Sequence, residues 1–271
     1  MIISLANQKG GVAKTTTCVN LGAGLALRGH SVLLIDMDPQ ASLTHYFGQL
    51  DGGAVLGDWL LGRAEFDQVV RHTPFDRLDL IPTVEHLIAD QAVIEQDRFK
   101  GLHYLRRKVE PLRDRYDYIL IDTMPSFSVL FVNSLMAADQ VLIPVKLECL
   151  SVQGLKPLIE KVTDVKENFK QLQIMGLLAT FNRRGVKESE TCLADLQKIL
   201  PGQVLKTTIQ QNSRLAEAVR HCKPIQHYDR ACQGFTDYED LAEEIIRKCP
   251  PPARPAAVGV HVAERRTASH A

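Results

Sequence analysis

The feature that most limits this chain is a ten-residue turn near its start, Asn7-Gln8-Lys9-Gly10-Gly11-Val12-Ala13-Lys14-Thr15-Thr16. A short apolar run, residues 2–6, precedes it, and residues 15–28 follow with small and apolar side chains at helical spacing. A strand that turns through adjacent glycines into a helix is the geometry that holds a phosphate group. Gly10 and Gly11 let backbone N–H groups approach phosphate oxygens, and the helix N-terminus adds positive potential. In such a loop Lys14 reaches the β- and γ-phosphates of a nucleotide, and the Thr15 hydroxyl ligates Mg²⁺. The general pattern GxxxxGK(S/T) is not met, because Gln8 and Ala13 stand where its two glycines would be. The form present is KGGxxK(S/T), with an additional lysine, Lys9, ahead of the glycines.

Further apolar runs lie at 31–35, 78–81, 118–121, 140–145 and 174–181, and helical patterns at 127–137, 151–168, 188–199 and 234–248. Near-continuous apolar strands suit a parallel sheet buried on both faces. Their alternation with helices predicts an α/β fold, a doubly wound, mostly parallel sheet flanked by helices. Asp36 and Asp38 follow one apolar run and Asp122 follows another, which places them at the carboxyl ends of strands, beside the crevice where such sheets bind ligands. The alternative is that both cap the next helix, Asp38 standing ahead of Pro39, but the whole string Asp36-Met37-Asp38-Pro39-Gln40 favours a functional role.

Composition excludes several classes. The chain has 271 residues, 45% apolar and 24% charged, which is neither a disordered chain nor a coiled-coil rod. Basic and acidic residues balance at 32 each, which argues against histone-like DNA binding but permits a local basic patch. The six cysteines form no CxxC pair and the nine histidines no HxH or HxxxH pattern, so zinc-ribbon and haem chemistry is not expected. No basic leader precedes the loop and no apolar run is long enough to span a bilayer, so a cytoplasmic location is expected. Residues 1–249 read as one domain and 250–271 as a flexible Pro/Ala/Arg tail opening on Pro250-Pro251-Pro252. Trp59 and Cys18 fit core positions.

The loop, together with LLIDMDPQAS at 33–42, YILIDTMPS at 118–126, VLIPVKLECLSVQGL at 141–155 and TTIQQNSRLAEAVRHCKPI at 207–225, resembles the deviant Walker A family of P-loop ATPases. That family includes ParA/Soj partition proteins, MinD and nitrogenase iron protein. The chain is most similar to ParA/Soj, over residues 2–248. The resemblance implies ATP and Mg²⁺ as cofactors, with Lys9, Gly10, Gly11, Val12, Ala13, Lys14, Thr15 and Thr16 cradling the nucleotide. It implies that Lys9 is the signature lysine that reaches the partner's nucleotide across an ATP-dependent dimer, and that Lys9, Lys14 and Asp38 carry catalysis. Asp38 would position the attacking water and join Thr15 and Asp122 around Mg²⁺, partly through water, while Asp36 would support the phosphate-loop lysine or the metal shell. Met124 stands where the family often has proline, a change expected to tune rate. Ala13 is harmless at near-helical angles and strained at positive φ. Asn182 matches a side chain on the adenine edge in relatives, and equally suits a turn before Arg183-Arg184-Gly185.

Three basic groups stand out: seven cations against two acids at 98–115, then Arg183, Arg184 and Lys187, then Arg214 and Arg220. Any one of them reads as a solvated face. ParA/Soj relatives bind DNA without sequence preference as dimers, and Arg184 and Arg214 match their contact positions, whereas Gln211 replaces a residue often basic. The resemblance therefore implies a nucleoid-associated switch ATPase that forms a homodimer with ATP and holds nonspecific DNA. A ParB-like or cargo-adaptor protein would stimulate hydrolysis, and the cargo would be a plasmid, a chromosome or a protein body. The alternatives are a MinD-like membrane-surface ATPase and a metabolic or redox P-loop enzyme. Against the first, the tail has no Leu, Ile, Phe or Trp for an amphipathic anchor, so no membrane partner is expected. Against the redox form, cluster-bridging cysteines are not evident.

Overall fold

Residues 1–48, 52–97, 100–168 and 171–251 are described by the computed structural model. Their strands are β1 (Ile2–Leu5), β2 (Val32–Met37), β3 (Arg71–His72), β4 (Leu78–Ile81), β5 (Tyr118–Thr123), β6 (Gln140–Lys146) and β7 (Gln173–Thr180). The helices are α1 (Lys14–Leu27), α2 (Ser42–Tyr46), α3 (Leu56–Leu60), α4 (Phe66–Val69), α5 (Leu87–Gln96), α6 (Tyr104–Val109), α7 (Val129–Ala137), α8 (Cys149–Gln153), α9 (Leu155–Asn168), α10 (Lys187–Ile199), α11 (Ser213–Arg220), α12 (Ile225–Tyr228) and α13 (Gln233–Lys248). The strands form one sheet in the order β3-β4-β2-β5-β1-β6-β7. Every pair is parallel except the short β3–β4 edge, as the doubly wound reading expects.

Alternation along each strand divides its apolar side chains between two cores. Ile2, Leu33, Ile35, Ile119 and Ile121 pack with Leu135 of α7, Leu158 of α9 and Leu196 of α10. Ile3, Leu5, Leu34, Leu120 and Leu142 pack on the other face with Val19 and Leu25 of α1 and Leu241 and Ile245 of α13. Each such buried side chain contributes about 1.5–3 kcal/mol, which is why these strands read as continuous apolar runs. Small residues set α1 close to the sheet. A Cβ on Gly22 would lie 2.8 Å from Leu34 Cδ2, and one on Gly24 would lie 3.1 Å from Ala242 Cβ of α13. The helix that follows the glycine-rich loop is thereby fixed on both sides.

Two expectations change. Residues 151–168 are not one helix: α8 and α9 divide at Gly154, and Pro157 sits in the first turn of α9, where its missing N–H removes no helical bond. β2 and β5 run on through Asp36 and Asp122, and Asp38 directly follows β2. The basic stretch at 98–115 is largely structural. Arg113 forks onto Asp139 at 2.8 and 2.9 Å, Arg115 pairs with Asp67 at 3.1 Å over the Phe66 ring, and Lys108 lies over Trp59. Arg98 and the tail residues 252–271 lie outside the described residues. Trp59 and Cys18 are buried.

Candidate nucleotide site

Strand ends build the site. β1 pairs with β5 on one side and β6 on the other, and Leu5 lies opposite Asp122. β2 pairs with the other edge of β5, which sets Asp36 beside Asp122. The loop after β1 and the acids of β2 and β5 therefore share one crevice at the carboxyl end of the sheet.

The loop is pinned at its base and open at its crest. Asn7 Nδ2 donates to the Pro144 carbonyl (2.7 Å), Asn7 Oδ1 accepts from the Lys9 amide (2.9 Å), and Thr180 Oγ1 donates to the Val12 carbonyl (3.2 Å). A Cβ built on Gly10 or Gly11 meets nothing within 4 Å, and Gly11 has φ 69°. Ala13 adopts φ 68° and ψ 32° at the start of α1, so the strained alternative is the one realised. A methyl in this region costs about 1–2 kcal/mol.

Lys14 is buried, 8% exposed, and its ammonium donates to the Lys9 carbonyl (3.2 Å). Burial lowers its pKa, while the charges of Asp122 and Asp38 oppose that shift. Thr15 Oγ1 donates to Asp122 Oδ2 (2.6 Å). The other oxygen, Asp122 Oδ1, is buried with no hydrogen-bond partner among the described residues. Burial and then the neighbouring Asp36 push the Asp122 carboxyl up to about 8, partly offset by Thr15 and Lys14. An oxygen-only crevice with an orphaned carboxylate oxygen beside a threonine hydroxyl fits Mg²⁺. No group of three or more His, Cys, Asp or Glu among the described residues encloses an ion alone. A Mg²⁺ here would take Thr15 and Asp122 with water and phosphate as its remaining ligands.

Asp38 is 9% exposed, and its Oδ1 accepts from the Gln40 amide (2.9 Å). Asp36 is fully buried, and its bonds run elsewhere than to Lys14. Its Oδ2 accepts from the Thr44 amide and hydroxyl, both at 2.8 Å, and its Oδ1 from the Asp38 amide (3.2 Å). Asp36 thus holds the first turn of α2, the capping alternative, rather than the phosphate-loop lysine. Burial pushes its carboxyl up to about 7 against these three donors. Lys9 turns outward along α8: its Nζ donates to Ser151 Oγ at 3.4 Å, and its Cε passes Gly154.

Beside the loop lies a cavity of about 410 Å³, walled by Ala13 and Thr16 and by Phe181, Ile209, Leu215 and Arg220. Its apolar walls suit a nucleobase. Asn182 is not among the lining residues; its Nδ2 donates to Thr208 Oγ1 (3.1 Å) and its amide to the Ile209 carbonyl (3.0 Å). Most of the lining comes from the segment 209–220, remote in sequence from the loop, within a stretch that carries the family resemblance but that sequence reasoning did not assign to a pocket. Arg184 is exposed, whereas Arg214 is held by Glu217 (2.7 Å) and Asp229 (3.4 Å). Met124 Sδ accepts from the Ser128 hydroxyl (3.0 Å), and Gln211 is exposed.

The sheet order, the loop and the paired acids define a P-loop nucleotide-binding protein of the doubly wound class. Residues 1–174 match the AAA domain family. The chain is 38% identical over 245 residues to the chromosome-partitioning ATPase Soj of Treponema pallidum (strain Nichols), covering 89% of this chain and 95% of that protein. It is 37% identical over 247 residues to the sporulation initiation inhibitor protein Soj of Bacillus subtilis (strain 168), covering 90% and 97%. Among solved structures, cobyrinic acid a,c-diamide synthase from Mycobacterium smegmatis with bound ADP and magnesium superposes with a TM-score of 0.80 at 28% identity, over 91% of this chain and 94% of that one. The chain belongs to the ParA/Soj family of P-loop ATPases. No described helix is long and apolar enough to cross a membrane.

Proposed function

We propose that this chain is an ATP- and Mg²⁺-dependent dimerising switch. It holds DNA without sequence preference in its ATP state, and positions a plasmid, chromosome or protein body. Hydrolysis stimulated by a ParB-like or cargo-adaptor partner resets it. The observation that carries this reading is the division of labour between two lysines. Lys14 is buried and its ammonium bonds to its own loop, while the half-buried Lys9 reaches to Ser151 of α8 instead. A cation engaged on α8 rather than on its own loop is placed to serve the phosphates of a second copy, so the dimer reads out whether the γ-phosphate is present.

In this reading Gly10, Gly11, Val12, Ala13, Thr15 and Thr16 cradle the phosphates, and Lys14 neutralises their charge. Thr15, Asp122 and Asp38 would hold Mg²⁺, partly through water, and the ion would supply charge stabilisation at the phosphate oxygens. Asp38 orients the attacking water. The purine occupies the cavity next to Ala13 and Thr16, with Asn182 shaping its wall only through the segment it ties at 208–211. Identity of 37–38% to two Soj proteins, against 28% to the cobyrinic acid synthase, favours partitioning over a metabolic ligase.

The DNA surface uses Arg184 and Arg214, doubled in a dimer. Because Glu217 and Asp229 already pair with Arg214, Arg184 carries the larger share. Binding to a nonspecific duplex, measured with ATP, with ADP and without nucleotide at two salt concentrations, tests the reading. ATP-dependent, salt-sensitive binding is expected, and Arg184→Glu with Arg214→Glu weakens it by about tenfold or more while dimerisation persists. Equal binding in all nucleotide states removes the switch, and unchanged affinity in the double variant removes the patch.

A further inference from the structure

The loop that carries Asp38 is held from a residue outside every motif, Thr44 on α2. Its hydroxyl donates to Asp36 Oδ2 at 2.8 Å and accepts from the Thr83 amide at 3.0 Å, just beyond β4. Its own amide donates to the same Asp36 oxygen at 2.8 Å. Asp36 Oδ1 in turn accepts from the Asp38 amide at 3.2 Å. One hydroxyl thus joins the end of β4 to the end of β2, and the carboxylate it meets holds the backbone of Asp38. Asp36 is fully buried, so water does not readily replace a donor lost there.

The remainder of the loop gives the Asp38 carboxylate little independent support. Its Oδ1 accepts from the Gln40 amide two residues on, and the turn closes through the Ala41 amide onto the Asp38 carbonyl (2.8 Å). Both bonds lie within the loop and move with it. The hydrogen bonds that tie it to the buried carboxylate of β2 and to the end of β4 run through Asp36 and Thr44. A displacement of about 1 Å at a water-positioning group costs on the order of a hundredfold in rate.

We infer that Thr44 is a positioning residue for hydrolysis, one that fixes Asp38 through the Thr83–Thr44–Asp36 chain without touching the nucleotide. This rests on the reading that Asp38 orients the attacking water. The chain is neutral toward ATP affinity, because Lys14, Thr15 and the glycine crest lie on the other loop.

The experiment is single-turnover hydrolysis of Mg²⁺-ATP by the full chain, with ATP affinity and thermal unfolding measured alongside. The variants are Thr44→Val, Thr44→Ala, Thr44→Ser and Asp38→Ala. Thr44→Val keeps the shape and removes the hydroxyl. Thr44→Ala removes the hydroxyl with a smaller side chain and stands in for the valine variant should that one unfold. Expected is a loss of about tenfold or more in turnover for Val and Ala, with ATP affinity within about twofold of the parent, and restoration by Ser, which keeps both bonds. Folded Val or Ala variants with parental turnover overturn the inference, as does a loss that tracks ATP affinity. Normal turnover in Asp38→Ala overturns the catalytic reading itself. A silent Asp38→Ala with active Thr44 variants overturns only the positioning chain.

Discussion

Two loops leave the carboxyl ends of strands that flank β5, and each enters its helix through a left-handed alanine. Ala13 has φ 68° and ψ 32° before α1, and Ala41 has φ 54° and ψ 32° before α2. Beyond that shared entry they are built oppositely. The first keeps Gly10 and Gly11 clear of any neighbour and is pinned at its base by Asn7 and Thr180. The second binds its polar groups to itself and to the sheet, through Asp36, Asp38, Gln40 and Thr44. A loop that wraps an anion must leave its N–H groups free, so backbone shape alone defines it. A loop that must place one carboxylate uses its donors internally, and its precision lies in side-chain hydrogen bonds.

The largest expected effect breaks the first loop. Lys14→Ala removes the ammonium that lies inside the loop and should abolish measurable ATP binding by calorimetry. Retained tight binding would mean that the N–H crest suffices without its lysine. The next effect falls on the second loop. Asp38→Ala should leave ATP affinity intact while turnover falls by about a hundredfold or more, and an ATP-bound dimer should persist on size exclusion. Unimpaired turnover would assign the loop a structural role only. A third test sharpens the contrast through pH. Asp122 is pushed up to about 8 and must lose its proton to ligate Mg²⁺. Below that pH the protonated carboxyl competes with the metal, so Mg²⁺ affinity should rise by about tenfold per pH unit between about 6 and 8. A flat profile would place the metal on other oxygens.

The two loops also differ in how far the sequence discloses them. The first is legible because its determinants are consecutive: strand, glycines, Lys14, Thr15 and helix fall within residues 2–28. Asp122 is legible for a similar reason, as an acid closing an apolar run. The second loop shows its acids but not its architecture. Which of its residues meets Asp36, and that Thr83 closes the chain, depends on β4 lying beside β2, a tertiary fact. The cavity beside the first loop is hidden in the same way, because it joins Ala13 to Leu215 and Arg220, which only the tertiary fold brings together. The division of α8 from α9 had a local sign in Gly154 and Pro157, but a continuous helical periodicity outweighs it in a one-dimensional reading. β3, two residues long, carries no periodic signal.

The smallest expected effect lies where the two loops coincide, at their left-handed alanines. Ala13→Gly relieves a methyl in the αL region, worth about 1–2 kcal/mol. Glycine also widens the unfolded ensemble, which returns about 0.4–1 kcal/mol. The net gain in urea unfolding of the nucleotide-free chain is therefore about 0–1.6 kcal/mol. Ala41→Gly has the same geometry and the same arithmetic, but its loop is already stitched to Asp36 through Thr44. If backbone shape alone defines the first loop and side chains hold the second, glycine at 13 should loosen ATP affinity, because the crest loses the constraint that keeps its N–H groups convergent. Glycine at 41 should leave turnover unchanged, because Asp36 still grips the Asp38 amide. The reverse pattern would show that the stitching of the second loop depends on Ala41, and the contrast between the loops would then be one of degree.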